Sequence, residues 1–314
     1  RGARRGPAAA AAAAAGRLTD TSVCDTMAAF AEEGFEDISE DDKLAIASQY
    51  LLSSPPGEIK EVLADVKTFC ADVLTDDVVA GVFRRYNNQS NQVVSSETRS
   101  VICDETTEID GEHYMDFSSG RVVKVDQLEQ AIIDDNVEDV EPIEVPGDLA
   151  EMREAVEAQL VEYVNGQYAK GTAIVNVAVQ GEGLVVLISG EKLSLKNFWV
   201  GRWTTKFVIN FNSKCMDGSI KIRVHYFENG NVQMTTDKNV EDVFLDFESA
   251  ESLGEAVRAA VAEQESEVQD SLEEMYVNMS KETFKDMRRV LPITRQKMDW
   301  SGAQLQLAKG FASR

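Results

Sequence analysis

Three short runs of apolar residues at helical spacing open the readable part of the chain. Ser39 has the chemistry of an N-cap, and Glu40, Asp41 and Asp42 sit near the positive end of a helix carrying Leu44, Ile46, Leu51 and Leu52. Pro55-Pro56-Gly57 forces a turn. A second helix is predicted through Ile59, Val62, Leu63, Val66 and Phe69, and a third from about Asp76 through Val78, Val79, Val82, Phe83 and Tyr86. Brief connections between amphipathic helices predict an antiparallel helical bundle.

From Asn87 the pattern shortens to β segments around 100–104, 113–117 and 122–125, separated by Asp, Gly and Ser. The acidic stretch 134–148, with Pro142 and Pro146, reads as a loop. Asp148 then reads as the cap of a helix with Met152, Val156, Leu160, Tyr163 and Val164 on one face. Five candidate strands follow at 172–179, 184–189, 198–210, 219–227 and 231–236. Gly181-Glu182-Gly183 supplies a hairpin turn, and Asn229-Gly230 is the signal of a two-residue type I′ hairpin between the last two strands. Such short connections predict an antiparallel meander, with 242–247 continuing the sheet or leading out of it. From about Ser249 to Arg289 there is no Pro, and Leu253, Val257, Val261, Val268, Leu272, Met275 and Met279 recur in steps of three, four and seven. One long helix can lay that stripe on the sheet while Glu263, Glu265, Glu267, Glu273 and Glu274 face water, until Pro292 ends or kinks it.

The expected fold is therefore α+β: an N-terminal helical bundle, a small β region, an antiparallel β meander covered by one long C-terminal helix, and an amphipathic tail. The divisions fall at 1–17, a low-complexity extension; 18–90, the helical stalk; 91–148, the small β region and acidic loop; 149–291, the sheet with flanking helices; and 292–314, the tail. The first seventeen residues combine Arg, Ala and Gly without the Ser enrichment of a transit peptide, and they read as disordered.

Composition narrows the function classes. At 314 residues, 43% hydrophobic and 27% charged, the chain can bury a sizeable core, and no window approaches the roughly 18 apolar residues of a membrane span. Net charge is −24; residues 281–314 hold eight basic and three acidic side chains and the first seventeen hold four arginines, so the stretch between carries −33. That acidic body disfavours nucleic acid, while a small basic end suits an acidic protein partner. Cys24, Cys70, Cys103 and Cys215 form no CxxC pair, and with only His113 and His225 to join them neither a disulfide framework nor a zinc site is expected, as suits a reducing cytoplasm.

Catalytic chemistry finds little footing. Gly181-Glu-Gly183 has no third spaced glycine, and there is no phosphate-binding GxxxxGK[ST] loop. Asp134-Asp-Asn136-Val-Glu138-Asp139 lacks the central Gly of a calcium loop and reads as solvated acid. His225, between Val224 and Tyr226, reads as a sheet-face histidine. With no nucleophile and base to pair, a binding protein without enzymatic activity, metal or cofactor is expected.

Three stretches carry a family resemblance. Lys196-Asn-Phe-Trp-Val-Gly-Arg-Trp203, Ile220-Lys-Ile-Arg-Val-His-Tyr-Phe-Glu-Asn-Gly-Asn-Val-Gln233 and Thr283-Phe-Lys-Asp-Met-Arg-Arg-Val-Leu-Pro-Ile-Thr-Arg-Gln-Lys-Met-Asp-Trp300, with a weaker match at Ser54-Pro-Pro-Gly-Glu58, resemble the alpha subunits of actin capping protein over roughly residues 39–300. The resemblance implies a mushroom-shaped obligate heterodimer with a beta subunit. The two sheets would form one layer beneath long antiparallel helices, and the dimer would block the barbed end of an actin filament without severing it, in the cytoplasm and cytoskeleton. A divergent subunit serving as a scaffold in an actin-related filament assembly is the alternative. The resemblance also places actin-binding residues at Lys285, Arg289, Arg295 and Lys297, with Arg288 adjacent; on local sequence alone these cations are a solvated helix end that offsets the helix dipole by tenths of a kcal/mol. The family's terminal segment docks on actin, and Trp300, Leu305, Leu307 and Phe311 are its apolar residues here, with Trp300, Ala303, Leu307 and Phe311 at helical spacing. Gly302 and Gly310 each weaken a free helix by about 1 kcal/mol relative to Ala, and the sequence after Trp300 departs from the better-known animal relatives.

Overall fold

A computed structural model describes residues 38–228, 231–279 and 281. The Oγ of Ser39 accepts from the backbone N–H of Asp42 at 3.1 Å, so the first helix, α1 (Glu40–Leu52), starts where its cap chemistry predicts. Helices α2 (Ile59–Cys70) and α3 (Asp76–Gln89) follow, and the three enclose a cluster of Ala47, Leu51, Ile59, Leu74, Val79, Val82, Phe83 and Tyr86. Ile46 and Phe69 do not join it and are 48% and 86% exposed. At about 100° per residue Phe69 lies roughly 80° and Ile46 roughly 120° round its helix from the buried row, beyond the edge of the apolar stripe.

The small β region is a five-stranded sheet of β1 (Val93–Ser95), β2 (Ser100–Ile102), β3 (His113–Asp116), β4 (Arg121–Asp126) and β5 (Ala131–Val137), in the order β2-β1-β5-β4-β3. Strand β5 corrects the loop expected from Asp134. Its acidic residues are tolerated because β5 meets β1 at Ser95–Ala131 alone and beyond that point pairs only with β4, leaving them on an exposed edge. Helix α4 (Gly147–Gln167) is preceded by Pro146 at the cap position, and Asp148 lies in the first turn rather than at the cap. Proline's fixed φ, here −56°, presets the entry to the helix without a side-chain cap.

The central sheet contains β6 (Ala173–Gln180), β7 (Gly183–Ser194), β8 (Trp199–Asn210), β9 (Cys215–Tyr226) and β10 (Val232–Phe244), antiparallel and in sequential order. Gly181, at φ +60°, opens the two-residue turn between β6 and β7, a conformation that favours glycine. The expected two-residue Asn-Gly turn is not found: pairing between β9 and β10 stops at Tyr226–Val232 and leaves residues 227–231 as the connection, of which Asn229 and Gly230 lie outside the described residues. On the other side of β9, Phe227 continues the β8–β9 register one step past Trp199–Tyr226. Its N–H donates to the Phe198 carbonyl at 2.9 Å, and the two rings meet edge to face at 5.7 Å. At the other end, β10 carries the sheet through a bulge between Val240 and Val243 to Phe244.

Helix α5 (Ala250–Asn278) begins with a Ser249–Ser252 capping box and buries Leu253, Val257, Ala260, Val261 and Val268. Glu265 is also buried, at 2% exposure, contrary to its expected solvent position. It occupies the inward row four residues after Val261 and three before Val268. Its carboxylate accepts from Tyr163 Oη (2.8 Å), Tyr168 Oη (3.0 Å) and Thr205 Oγ1 (2.7 Å). Helices α4 and α5 share one face of the central sheet and run parallel, Gly254 lying against Ala155, Arg258 beside Gln159, and Glu265 beneath Tyr163 and Tyr168. On the opposite face, Lys206 reaches Asp104 at 2.7 Å and Ser189 Oγ donates to the Asn91 carbonyl, so the small sheet closes that side. Coverage on both faces explains why Leu184, Val185, Val186, Leu187 and Ile188 are all buried in one unbroken run.

Candidate functional site

Each of the nine residues expected to contact actin, Lys285, Arg288, Arg289, Arg295, Lys297, Trp300, Leu305, Leu307 and Phe311, lies outside the described residues, as do 1–37. What is described is the platform that leads to them. Over its last turns α5 sits beside β10, with Lys238 bonded to Glu267 at 2.6 Å and Tyr276 Oη donating to Met234 Sδ at 3.3 Å. Leu272, Tyr276 and Val277, with Gln269, Glu273 and Lys281, line an open and mainly apolar hollow of about 520 Å³. Tyr276 is 54% exposed and Val277 39%.

Beside this hollow is an uncovered sheet edge. Among the described residues β10 pairs with β9 alone, so one row of backbone donors and acceptors along its 13 residues is free. Gln233, Thr235, Asp237 and Asn239 are exposed, as are Val232 and Phe244 near its ends. A long edge without Pro is a template for another strand. Sequence reasoning named none of these residues as a site, although the polar alternation of β10 shows that one face lacks a core.

Of the stretches that carry the family resemblance, 54–58, 196–203 and the described part of 220–233 meet at one end of the central sheet. Arg202, 4% exposed, donates through Nη2 to Glu191 Oε2 and Gln92 Oε1, both at 2.6 Å, and its Nε donates to Glu191 at 3.1 Å. Burial raises the Tyr86 hydroxyl above the ordinary tyrosine range, an effect tempered by Arg202 and Arg223. Tyr86 donates to the carbonyls of Ser54 (3.3 Å) and Pro55 (3.1 Å), which pins the turn between α1 and α2. His225 reaches Glu58 in the same turn at 2.7 Å. These buried residues tie elements together, and their arrangement is one of support. Among the described residues no three His, Cys, Asp or Glu side chains are grouped as a metal set.

Known proteins resemble the chain over most of its length. The model of the F-actin capping protein alpha subunit family matches residues 47–309. The F-actin-capping protein subunit alpha of Arabidopsis thaliana is 32% identical over 280 residues, 84% of this chain and 90% of the relative. The protein of the same description from Caenorhabditis elegans is 30% identical over 281 residues, covering 85% and 96%. Among solved structures, the homodimeric actin capping protein alpha subunit from Plasmodium berghei superposes with a TM-score of 0.65 at 22% identity, covering 81% of this chain and 98% of that one, a likeness of fold. By the extent of the family match, and by relatives at 30% identity or more over more than four-fifths of its length, the chain belongs to the F-actin capping protein alpha subunit family.

Proposed function

We propose that the chain is the alpha subunit of a heterodimeric capping protein that, with a beta-type partner, binds the barbed end of an actin filament and blocks both addition and loss of subunits without severing. The observation that carries this reading is the reach of the family match, which runs through the basic segment to residue 309. Lys285, Arg288, Arg289, Arg295 and Lys297 supply the electrostatic contact, and Trp300, Leu305, Leu307 and Phe311 the apolar one. A basic end on an acidic body orients the encounter with an acidic filament surface and speeds it. The free β10 edge and the exposed Tyr276 and Val277 give the beta-type partner its footing, strand against strand and apolar against apolar. The function is one of binding, exercised in the cytoplasm on the cytoskeleton.

Seeded actin assembly tests the proposal. The purified heterodimer should stop barbed-end growth at substoichiometric amounts. Lys285→Glu, Arg289→Glu and Arg295→Glu combined should abolish capping while the heterodimer still assembles, because each change turns an attraction into a repulsion. Normal capping by the triple variant would refute the basic site. A heterodimer that forms but never caps would instead favour a scaffold in an actin-related filament.

A further inference from the structure

We propose that Glu265 is a positioning residue: its carboxylate, tied to α4 and β8, fixes the axial position and tilt of α5 and so aims the segment that α5 carries. The proposal rests on the reading that this segment contacts the filament. Thr205 Oγ1 donates to Glu265 Oε1 at 2.7 Å, Tyr163 Oη donates to Oε2 at 2.8 Å, and Tyr168 Oη lies 3.0 Å from both oxygens. The donors come from α4, from the residue that caps its end and from β8. They are held in turn. The Tyr168 ring lies so close to Gly190 of β7 that an added Cβ would stand 3.1 Å from it, and Trp203 Nε1 donates to Thr205 Oγ1 at 3.1 Å. A carboxylate gripped by supported donors is a fixed point on the helix.

The rest of the α5 stripe lacks that directionality. Leu253, Val257, Ala260, Val261 and Val268 are aliphatic, and their burial holds the helix against the layer beneath it without choosing a place along its axis. Two contacts do choose. Near the start, Gly254 fits against the Ala155 carbonyl oxygen, where a Cβ would stand at 2.8 Å. Glu265 is the second, about 17 Å further along at the helical rise of 1.5 Å per residue. Beyond Val268 no residue of α5 is buried, and the helix runs on to Asn278, about 36 Å from Gly254. A displacement at Glu265, pivoting on Gly254, is therefore roughly doubled at Asn278.

Stability is a poor reason for a carboxylate in this place. Apolar side chains of similar volume usually replace a buried charged cluster at no loss, and often with a gain. What they do not supply is one preferred register, which is the attested use of a lone buried polar side chain on an apolar helix seam.

The test is a variant in which the whole cluster becomes apolar, Glu265→Met with Tyr163→Phe, Tyr168→Phe and Thr205→Val. It is compared, as the full-length heterodimer, with wild type and with Glu265→Gln, which keeps an acceptor. Urea unfolding reads stability, hydrogen exchange of peptides 250–260 and 269–279 reads how α5 is held, and seeded actin assembly reads capping. We expect the apolar variant to assemble and resist urea as wild type does, to exchange about tenfold faster in 269–279 but not in 250–260, and to cap about tenfold more weakly. Glu265→Gln should stay close to wild type in exchange and capping. Unchanged exchange in 269–279, capping by the apolar variant at wild-type strength, or a Gln variant that caps no better than the apolar one would each overturn the positioning role. Should the apolar variant not assemble, Tyr163→Phe with Tyr168→Phe, which leaves the carboxylate on Thr205, decides by the same two measurements. A wild-type heterodimer that does not cap refutes the reading of function, and the exchange comparison then decides whether Glu265 positions α5.

Discussion

Replacing Glu265 by Ala should cost the protein about 3–5 kcal/mol, most of it from the hydroxyls left behind. The carboxylate accepts from Tyr163, Tyr168 and Thr205, with no cation among these partners. Taking such a charge out of water costs several kcal/mol, offset by three bonds to a charged acceptor at about 1.5–3 kcal/mol each. Alanine relieves the first term and abolishes the second. Thr205 and Tyr163, 1% and 8% exposed, would each forfeit about 1–3 kcal/mol as unpaired donors, while the partly exposed Tyr168 regains water. A void beneath α5 adds to the loss. Glu265→Gln keeps the shape and one acceptor, and rotation of the hydroxyls should hold its cost to about 1 kcal/mol. Urea unfolding of the heterodimer at fixed concentration gives both values. Trp203 fluorescence is a local reporter, because its Nε1 donates to Thr205 Oγ1 at 3.1 Å. An alanine variant within 1 kcal/mol of wild type would refute the reasoning, and a glutamine variant as unstable as alanine would show that the charge, rather than the acceptors, carries the effect.

Gly254→Val should destabilise the helix layer by about 1–3 kcal/mol in the same assay, since a Cβ there would stand 2.8 Å from the Ala155 carbonyl oxygen, a backbone atom that cannot swing aside. Deleting 301–314 removes Leu305, Leu307 and Phe311 but spares the basic cluster; single-filament microscopy should show faster uncapping at a nearly unchanged capping rate. Tyr86, Tyr114, Tyr163 and Tyr168 all hold their protons above the ordinary tyrosine range, chiefly through burial. The unfolded chain ionises them near pH 10, so the stability they contribute is intact below that value and lost above it; thermal unfolding should fall steeply past about pH 10.

Where the apolar pattern and the backbone ask for the same thing, the sequence is readable. Ser39, Gly181 and the unbroken Leu184–Ile188 run each point to the element found. It misleads where a tertiary partner intervenes. Asn229-Gly230 has the chemistry of a tight turn, but the register of β9 on β10, with Tyr226 opposite Val232, leaves an odd number of residues between the strands, and a two-residue turn needs an even one. Residue type alone places Glu265 in water, although its spacing from Val261 and Val268 puts it on the buried row; position outweighs chemistry when distant hydroxyls are waiting. Charge asymmetry and resemblance point to a basic cluster on residues outside those described, whereas the β10 edge is not legible in the sequence, because a strand's neighbours are a property of the sheet.

The parallel course of α4 and α5 has an arithmetic consequence. Each antiparallel step reverses the chain, so an odd count of strands between two helices on the same face obliges both to point the same way, and the terminus beyond α5 is delivered to a fixed end of the sheet. Losing or gaining one strand would send that terminus to the opposite end of the sheet while every remaining strand kept its fold. Evolution of this meander is therefore constrained by parity: strands can be added or shed in pairs without moving the end at which α5 finishes, whereas a change of one moves it the length of the sheet.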